Sequence, residues 1–146
     1  MKIALGSDHA GFQLKESLKR YLDSKNLEYT DFGVFSMDAD DYPEYAYKVG
    51  NAVIRGNQDR GILICATGIG MCITANKIKG IRAAMAYDIH TAQMSRLHND
   101  ANILCLGGRE IKDSKAIDIV GIWLNTSFEG GRHQKRIDLI TNLTGL

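Results

Sequence analysis

The sequence predicts one domain with a doubly wound α/β fold built on a five-stranded parallel sheet. Short apolar runs alternate with longer stretches of helical periodicity five times along the chain. Several of these runs are apolar without alternation, which is typical of strands covered by helices on both faces. A length of 146 residues also fits one core, because single domains mostly contain about 100–150 residues. Repeated strand–helix units imply right-handed crossovers and a Rossmann-like layering.

Five segments have the composition of buried strands. Residues 62–66, 83–86 and 103–106 are apolar throughout. Continuous runs of this length favour the interior of a parallel sheet over its solvent-facing positions. The predicted strands cover residues 2–7, 28–33, 61–66, 81–86 and 102–107.

Helical patterns separate the predicted strands. Leu14, Leu18 and Leu22 form one apolar stripe, and a second helix begins near Pro43, a residue favoured in a first turn. A third helix over residues 71–78 is predicted to stop at Gly80. Fourth and fifth helices are predicted over residues 89–97 and 114–125, the latter with Ile117, Val120 and Leu124 facing inward.

The C-terminal segment, about residues 127–146, follows a sheet that is already complete. Ile137, Ile140 and Leu143 repeat at helical spacing and give this segment an apolar face. That face needs a groove on its own domain or a partner subunit. The whole chain reads as one domain, with this segment as its last helix.

Composition and charge exclude several classes of function. The chain is 45% hydrophobic and carries 18 basic and 17 acidic side chains, so it lacks the basic surface that nucleic acid or an anionic membrane requires. No apolar run reaches the length of a membrane span or a signal-peptide core. Three cysteines without CxxC spacing argue against a disulfide framework and a zinc site. A cytoplasmic protein without a metal is therefore expected.

The strongest candidate for chemistry is the segment Cys65-Ala66-Thr67-Gly68-Ile69-Gly70-Met71. A cysteine closes a buried strand, and a glycine loop then opens a helix. Glycines let consecutive N–H groups point at an anion, and the helix dipole favours a thiolate beside them. The alternative interpretation is that Cys65 is a small buried apolar residue, as unpaired cysteines often are.

Familiar phosphate-binding and nucleotide-binding motifs do not fit this loop. No Gly-Lys pair follows, as a GxxxxGK[ST] loop requires. The glycines follow the third predicted strand and lack the third glycine of GxGxxG. A cysteine phosphatase would need arginine six residues after Cys65, where Met71 stands. The loop therefore indicates a small anion but none of these classes.

Other polar residues follow the carboxyl ends of the strands, where ligands of such sheets bind. Asp8 and His9 follow the first strand, His98 leads a polar cluster before the fifth, and Arg109 follows Gly107-Gly108. Asp8 could equally be a helix cap. His90 and His133 are predicted to be surface residues.

Two arginines stand four apart in the C-terminal segment. On a helix, Arg132 and Arg136 project from one face. Paired guanidinium groups suit a phosphate, although a solvated basic face would show the same spacing.

Taken together, these segments resemble the type B ribose-5-phosphate isomerase family. They run in order over nearly the whole chain, so the resemblance does not depend on one motif. The matching segments are Gly6-Ser7-Asp8-His9-Ala10-Gly11, Asp41-Tyr42-Pro43, Cys65-Ala66-Thr67-Gly68-Ile69-Gly70, Ala75-Asn76-Lys77, His98-Asn99-Asp100-Ala101-Asn102, Gly107-Gly108-Arg109 and Gly130-Gly131-Arg132-His133-Gln134.

The resemblance implies a reaction and a role for each matching residue. Cys65 would move a proton between C1 and C2 of the open-chain sugar, while Thr67 and the backbone N–H groups of Gly68, Ile69, Gly70 and Met71 hold the enediolate oxygens. His98 would open the furanose ring. The resemblance implies that Asp8 bonds to sugar hydroxyls and that Asn99 steadies the reacting oxygens, with Tyr42 nearby as a substrate-binding residue. His9, Arg109, Arg132 and Arg136 would hold the phosphate.

The resemblance also implies a homodimer, which could pair further into a tetramer. The site would form between two subunits, and the C-terminal helix would be exchanged with the partner. No cofactor is required, because no hydride or electron moves. Two alternatives stay open: an isomerase of a hexose 6-phosphate such as allose or galactose 6-phosphate, and a non-catalytic phosphate-binding module on a flavodoxin-like sheet.

Overall fold

The computed structural model describes residues 1–146 and contains five strands and six helices in the predicted order. The strands are β1 (Lys2–Ser7), β2 (Glu28–Asp31), β3 (Arg60–Cys65), β4 (Ala83–Met85) and β5 (Ile103–Gly107). The helices are α1 (Phe12–Ser24), α2 (Tyr42–Ile54), α3 (Ile69–Ala75), α4 (Ile89–Asn99), α5 (Asp113–Asn125) and α6 (Arg132–Thr144). None of these helices has the length and apolarity needed to span a membrane.

The five strands form one parallel sheet in the order β2-β1-β3-β5-β4. Helices α1 and α5 pack together on one face, and α2 and α3 pack together on the other. The predicted doubly wound fold is therefore confirmed. Helix α1, which follows β1, and helix α3, which follows β3, lie on opposite faces of the sheet. The direction in which strands are added to the sheet therefore reverses between β1 and β3, which are neighbours. Ligands of such sheets bind at this reversal.

Strand β3 explains why the central runs are apolar without alternation. Ile62 and Ile64 enter the core on the α1/α5 face, whereas Leu63 and Cys65 enter the core on the α2/α3 face. Both faces of the strand are covered, so every position is apolar. The predicted stripe of α1 is also buried, and its apolar face packs in the same cluster as the fully buried Trp123.

Several predicted boundaries were wrong. Helix α3 ends at Ala75, before Gly80, because the chain first makes turns through residues 76–80. Strand β4 is reduced to three residues at the edge of the sheet, where it pairs on one side only. In α6, Ile137 is buried while Ile140 and Leu143 are exposed.

A side chain covers the free edge of β4. The Asn76 amide donates to the Ala83 carbonyl at 2.9 Å, and its oxygen accepts the Ala83 N–H at 2.9 Å. Asn76 therefore occupies both hydrogen-bonding groups of one edge residue, as a neighbouring strand would.

An arginine fixes the start of the C-terminal segment. The guanidinium of Arg60 stacks on Trp123 and donates to the carbonyls of Trp123 and Leu124 at 2.9 and 3.0 Å. These carbonyls lie in the last turn of α5, where carbonyl acceptors lack N–H donors from the helix itself. From there the chain reaches α6, which packs against α4 of its own chain. The predicted exchange of α6 with a partner stays a prediction.

Candidate active site

Three loops converge at the carboxyl ends of β1, β3 and β5. The Asp8 N–H donates to the Ile64 carbonyl at 3.2 Å, and the Gly108 N–H donates to the Cys65 carbonyl at 2.8 Å. Glycines permit this approach: a Cβ on Gly11 would lie 2.5 Å from the Ile64 carbonyl oxygen. The loops that carry Asp8, Cys65 and Arg109 are therefore hydrogen-bonded and closely packed, and they form the base of one site.

Cys65 ends the middle one of these three strands and is only 5% exposed. Its Sγ accepts the Gly68 N–H at 3.1 Å, across the turn that opens α3. The sulfur thus lies at the start of α3, where backbone N–H groups lack acceptors within the helix. The role of Cys65 as a proton-transfer base stays a prediction.

Of the next three backbone N–H groups in the loop, one has a hydrogen-bond acceptor within the chain and two do not. The Ile69 N–H donates to Thr67 Oγ1 at 3.3 Å. Gly70 and Met71 have no acceptor within the chain for their N–H groups, because they lie in the first turn of α3. Two free donors beside a sulfur could hold an oxygen that gains negative charge.

The loop depends on the backbone of Gly68, whose φ is +82°. A Cβ there would also lie 2.8 Å from the backbone carbon of Leu106 and 2.5 Å from Met85 Cε. Side chains are strained in this conformation, and the backbone of β5 cannot move aside cheaply.

We expect Gly68→Ala to lower the free energy of unfolding by roughly 1–3 kcal/mol, the range for left-handed strain with a clash. Gly56→Ala is a matched control, because Gly56 has a φ of +72° with nothing within 4 Å of the added Cβ. Urea unfolding of both variants separates the conformational cost from the clash. Equal losses in the two variants would contradict the close packing around Gly68.

Tyr42 and a pocket that His9 and Arg109 line lie near this loop. Tyr42, the first residue of α2, packs against Gly70, where an added Cβ would lie 2.5 Å from its ring. His9 and Arg109 line one pocket of about 230 Å³ between the loops after β1 and β5. The Asp8 carboxylate accepts the Gly11 N–H at 3.0 Å, so it caps the turn before α1.

The remaining predicted residues form a second group on α4 and α6. His98 stacks on His133, with ring centroids 4.2 Å apart and planes within 7°. Arg132 and Arg136 are exposed on α6, and Asn99 borders a groove that Ile137 and Ile140 also line. No hydrogen bond or ion pair of the chain joins this group to the Cys65 loop.

The prediction that His133 is a surface residue was wrong. Its side chain is buried, and burial and the neighbouring His98 lower its pKa, so the ring favours its neutral form. Arg132 Nε donates to His133 Nε2 at 3.3 Å. Stacking on this neutral ring favours one orientation of the His98 ring. His90, by contrast, is exposed as predicted.

His98, Glu129 and His133 also form a group of potential metal ligands, with ligand atoms within 4.8 Å of one another. The parallel stacking of the rings directs their nitrogen lone pairs alongside one another instead of toward one point. Arg132 also contacts one of the nitrogens. This geometry suits a stacked pair better than a set of ligands that converge on one metal ion.

Fold and site together define a doubly wound α/β protein with a cysteine and a small-anion loop at the reversal of its sheet. Residues 3–140 match the Ribose/Galactose Isomerase family. The chain belongs to this family, and the resemblance found in its sequence is confirmed.

Individual relatives are similar over their whole length. The chain is 48% identical to ribose-5-P isomerase B of Listeria innocua, covering 98% of this chain and 97% of that protein. A structure of ribose-5-phosphate isomerase B from Clostridium thermocellum has a TM-score of 0.98 and 47% identity, over 99% of this chain and 98% of the other. One from Mycoplasma genitalium with bound ribulose-5-phosphate has a TM-score of 0.94 and 44% identity, over 99% and 96%.

Another relative has a different substrate in its name. The chain is 42% identical to the D-erythrulose-4-phosphate isomerase of Pectobacterium atrosepticum, over 96% of this chain and 93% of that protein. Sugar phosphates of different length thus occur among proteins of comparable similarity.

Proposed function

We propose that this protein interconverts D-ribose 5-phosphate and D-ribulose 5-phosphate through an enediolate, without a metal or organic cofactor. The single observation that carries the proposal is Cys65, whose buried sulfur faces a glycine loop with two free N–H donors. An enediolate mechanism needs a base and a set of donors for the charge that develops on oxygen. Membership of the isomerase family supports the same reaction.

Cys65 is the proposed proton-transfer base. In the aldose-to-ketose direction the thiolate takes the proton from C2, and the C2–H electron pair forms the C1–C2 double bond. The π electrons of the C1 carbonyl move to O1, where the Gly70 and Met71 amides and Thr67 supply hydrogen bonds. The thiol then returns its proton to C1, while the O2 proton passes to O1 and the C2–O2 carbonyl forms, which gives the ketose.

The other predicted residues bind the substrate and open its ring. His98 passes a proton from the anomeric hydroxyl to the ring oxygen, and Asn99 with Asp8 and Tyr42 holds the sugar hydroxyls. His9 and Arg109 share a pocket that suits the phosphate. Anchoring a distant phosphate positions the reacting carbon.

The site is completed by a second copy of the chain. His98, Arg132 and Arg136 lie apart from the Cys65 loop within one chain, yet the reaction needs both groups. Helix α6 exposes Leu139, Ile140 and Leu143, which is an apolar face suited to a subunit contact. A homodimer related by a twofold axis would join one group of each chain to the other group of its partner.

Two other substrate classes are tested beside ribose 5-phosphate. Hexose 6-phosphates are the second candidate, because the family to which the chain belongs includes galactose in its description. A four-carbon sugar phosphate is included because of the relative from Pectobacterium atrosepticum. Pocket length, not the chemistry at Cys65, would decide between them.

The test is turnover of ribose 5-phosphate, with allose 6-phosphate, galactose 6-phosphate and erythrulose 4-phosphate assayed in parallel, all in a metal chelator. We expect the highest kcat/KM with ribose 5-phosphate. Faster turnover of another sugar phosphate would reassign the substrate and keep the reaction. Binding of all four without any turnover would support the phosphate-binding module instead.

A further inference from the structure

We propose that Asp40 and Tyr45 are positioning residues that hold His9 in the tautomer whose Nε2–H donates to the substrate phosphate. This inference rests on the proposed function, in which His9 binds the phosphate. Neither residue belongs to the predicted site, and neither touches the pocket that His9 and Arg109 line. Asp40 contacts His9 at Nδ1, and Tyr45 acts on His9 through Asp40.

The tautomer follows from one hydrogen bond. The backbone N–H of Asp40 donates to His9 Nδ1 at 3.3 Å. A ring nitrogen that accepts a hydrogen bond carries no proton, so the proton of the neutral imidazole lies on Nε2. Nε2 is then the nitrogen left to contact a ligand in the pocket shared with Arg109.

Whether His9 attracts or repels a phosphate oxygen depends on which tautomer the ring adopts. A ring with its proton on Nε2 donates to a phosphate oxygen and joins the Arg109 guanidinium in binding it. The opposite tautomer would present a lone pair to the same oxygen and would repel it. A backbone N–H cannot lose its proton or rotate freely, so it selects the tautomer as long as its segment stays in place.

Asp40 is held in place by the core. It lies in an exposed segment, but its carboxylate accepts hydrogen bonds from the Tyr45 hydroxyl and, at 2.7 Å, from the Asp41 N–H. Tyr45 is 8% exposed on α2, and its ring packs against Gly33. The bond to Asp40 raises the pKa of Tyr45 to about 12 and lowers the pKa of Asp40, so it persists across the neutral pH range.

The test compares Tyr45→Phe with wild type by the ¹⁵N chemical shifts of His9, near pH 8, where an ordinary histidine is neutral. The chain has four histidines, so the signals of His9 are assigned by their loss in His9→Gln. We expect the Nε2–H tautomer in wild type and a mixture of tautomers in Tyr45→Phe. KM for ribose 5-phosphate should rise roughly 3- to 10-fold, the loss of about one hydrogen bond, with kcat unchanged.

Two further variants complete the design. Asp40→Ala removes the same Tyr45–Asp40 hydrogen bond by deleting its acceptor. This variant should also show a mixture of His9 tautomers and a raised KM for ribose 5-phosphate. Tyr47→Phe is the matched control, because Tyr47 lies on the same helix, is 63% exposed and makes no hydrogen bond through its hydroxyl.

The outcomes separate this inference from the proposed function. An Nδ1–H tautomer in wild type, or an unchanged tautomer in both Tyr45→Phe and Asp40→Ala, would overturn the inference whatever the kinetics show. A wild type without turnover of any sugar phosphate would overturn the proposed function, while the tautomer measurement would still test the positioning of His9.

Discussion

Cys65→Ala should lower kcat for ribose 5-phosphate by about 10²- to 10⁴-fold, the usual contribution of a positioned acid–base group. The substitution removes the sulfur that accepts the Gly68 N–H and leaves the glycine loop otherwise intact. Substrate binding should change little, because His9 and Arg109, the proposed phosphate contacts, lie in other loops. The measurement is steady-state turnover with an independent determination of substrate affinity.

Cys72→Ser is the matched control for this variant. Cys72 is half-buried on α3, and its pKa is lowered to about 7 by hydrogen bonding to Cys105. A thiol with a lowered pKa also reacts with alkylating reagents, so chemical modification alone would not identify the base. Turnover in Cys65→Ala near the wild-type rate would refute the role of Cys65 and keep the isomerase assignment.

Mixing two inactive variants should restore activity if the site joins two chains. In a twofold dimer, one copy with Cys65→Ala and one with His98→Gln form one doubly altered site and one intact site. Random pairing makes half of the dimers mixed, so we expect about a quarter of the wild-type activity. The experiment unfolds and refolds the two variants together and compares turnover before and after.

A second mixture tests the geometry directly. Cys65→Ala and Thr67→Ala alter the same loop, so their mixed dimer has no intact site and should stay inactive. If activity recovered in both mixtures, refolding itself would be the cause, and the recovery would say nothing about a site shared between two chains. Absence of recovery in both would place the whole site within one chain and refute the composite arrangement.

The sheet could be predicted from local pattern, but the order of its strands could not. Continuous apolar runs identified the strands, because burial on both faces leaves a signal within each segment. The position of β5 between β3 and β4 depends on long-range pairing, which no local pattern encodes. The turns before Gly80 were missed for a related reason: they form because Asn76 binds Ala83 across the edge.

In the candidate site, too, features with a local sequence pattern could be predicted, and those that depend on long-range contacts could not. Cys65 and its glycines were recognisable because a strand end and a helix start meet in one motif. His133 carried an overlooked signal, since it stands four residues before the buried Ile137 and thus on the same helical face. The contact of Asp40 with His9 carried no such signal. It depends on the path of a loop, which residue types alone do not determine.

The Asn76 amide at the edge of β4 has a consequence for behaviour at high concentration. An unpaired edge strand can recruit a strand from another molecule and extend the sheet from chain to chain. At Ala83 both backbone groups are already occupied by Asn76, and β4 is only three residues long. A side chain within the fold thus blocks pairing at Ala83 and disfavours aggregation through this edge of the sheet.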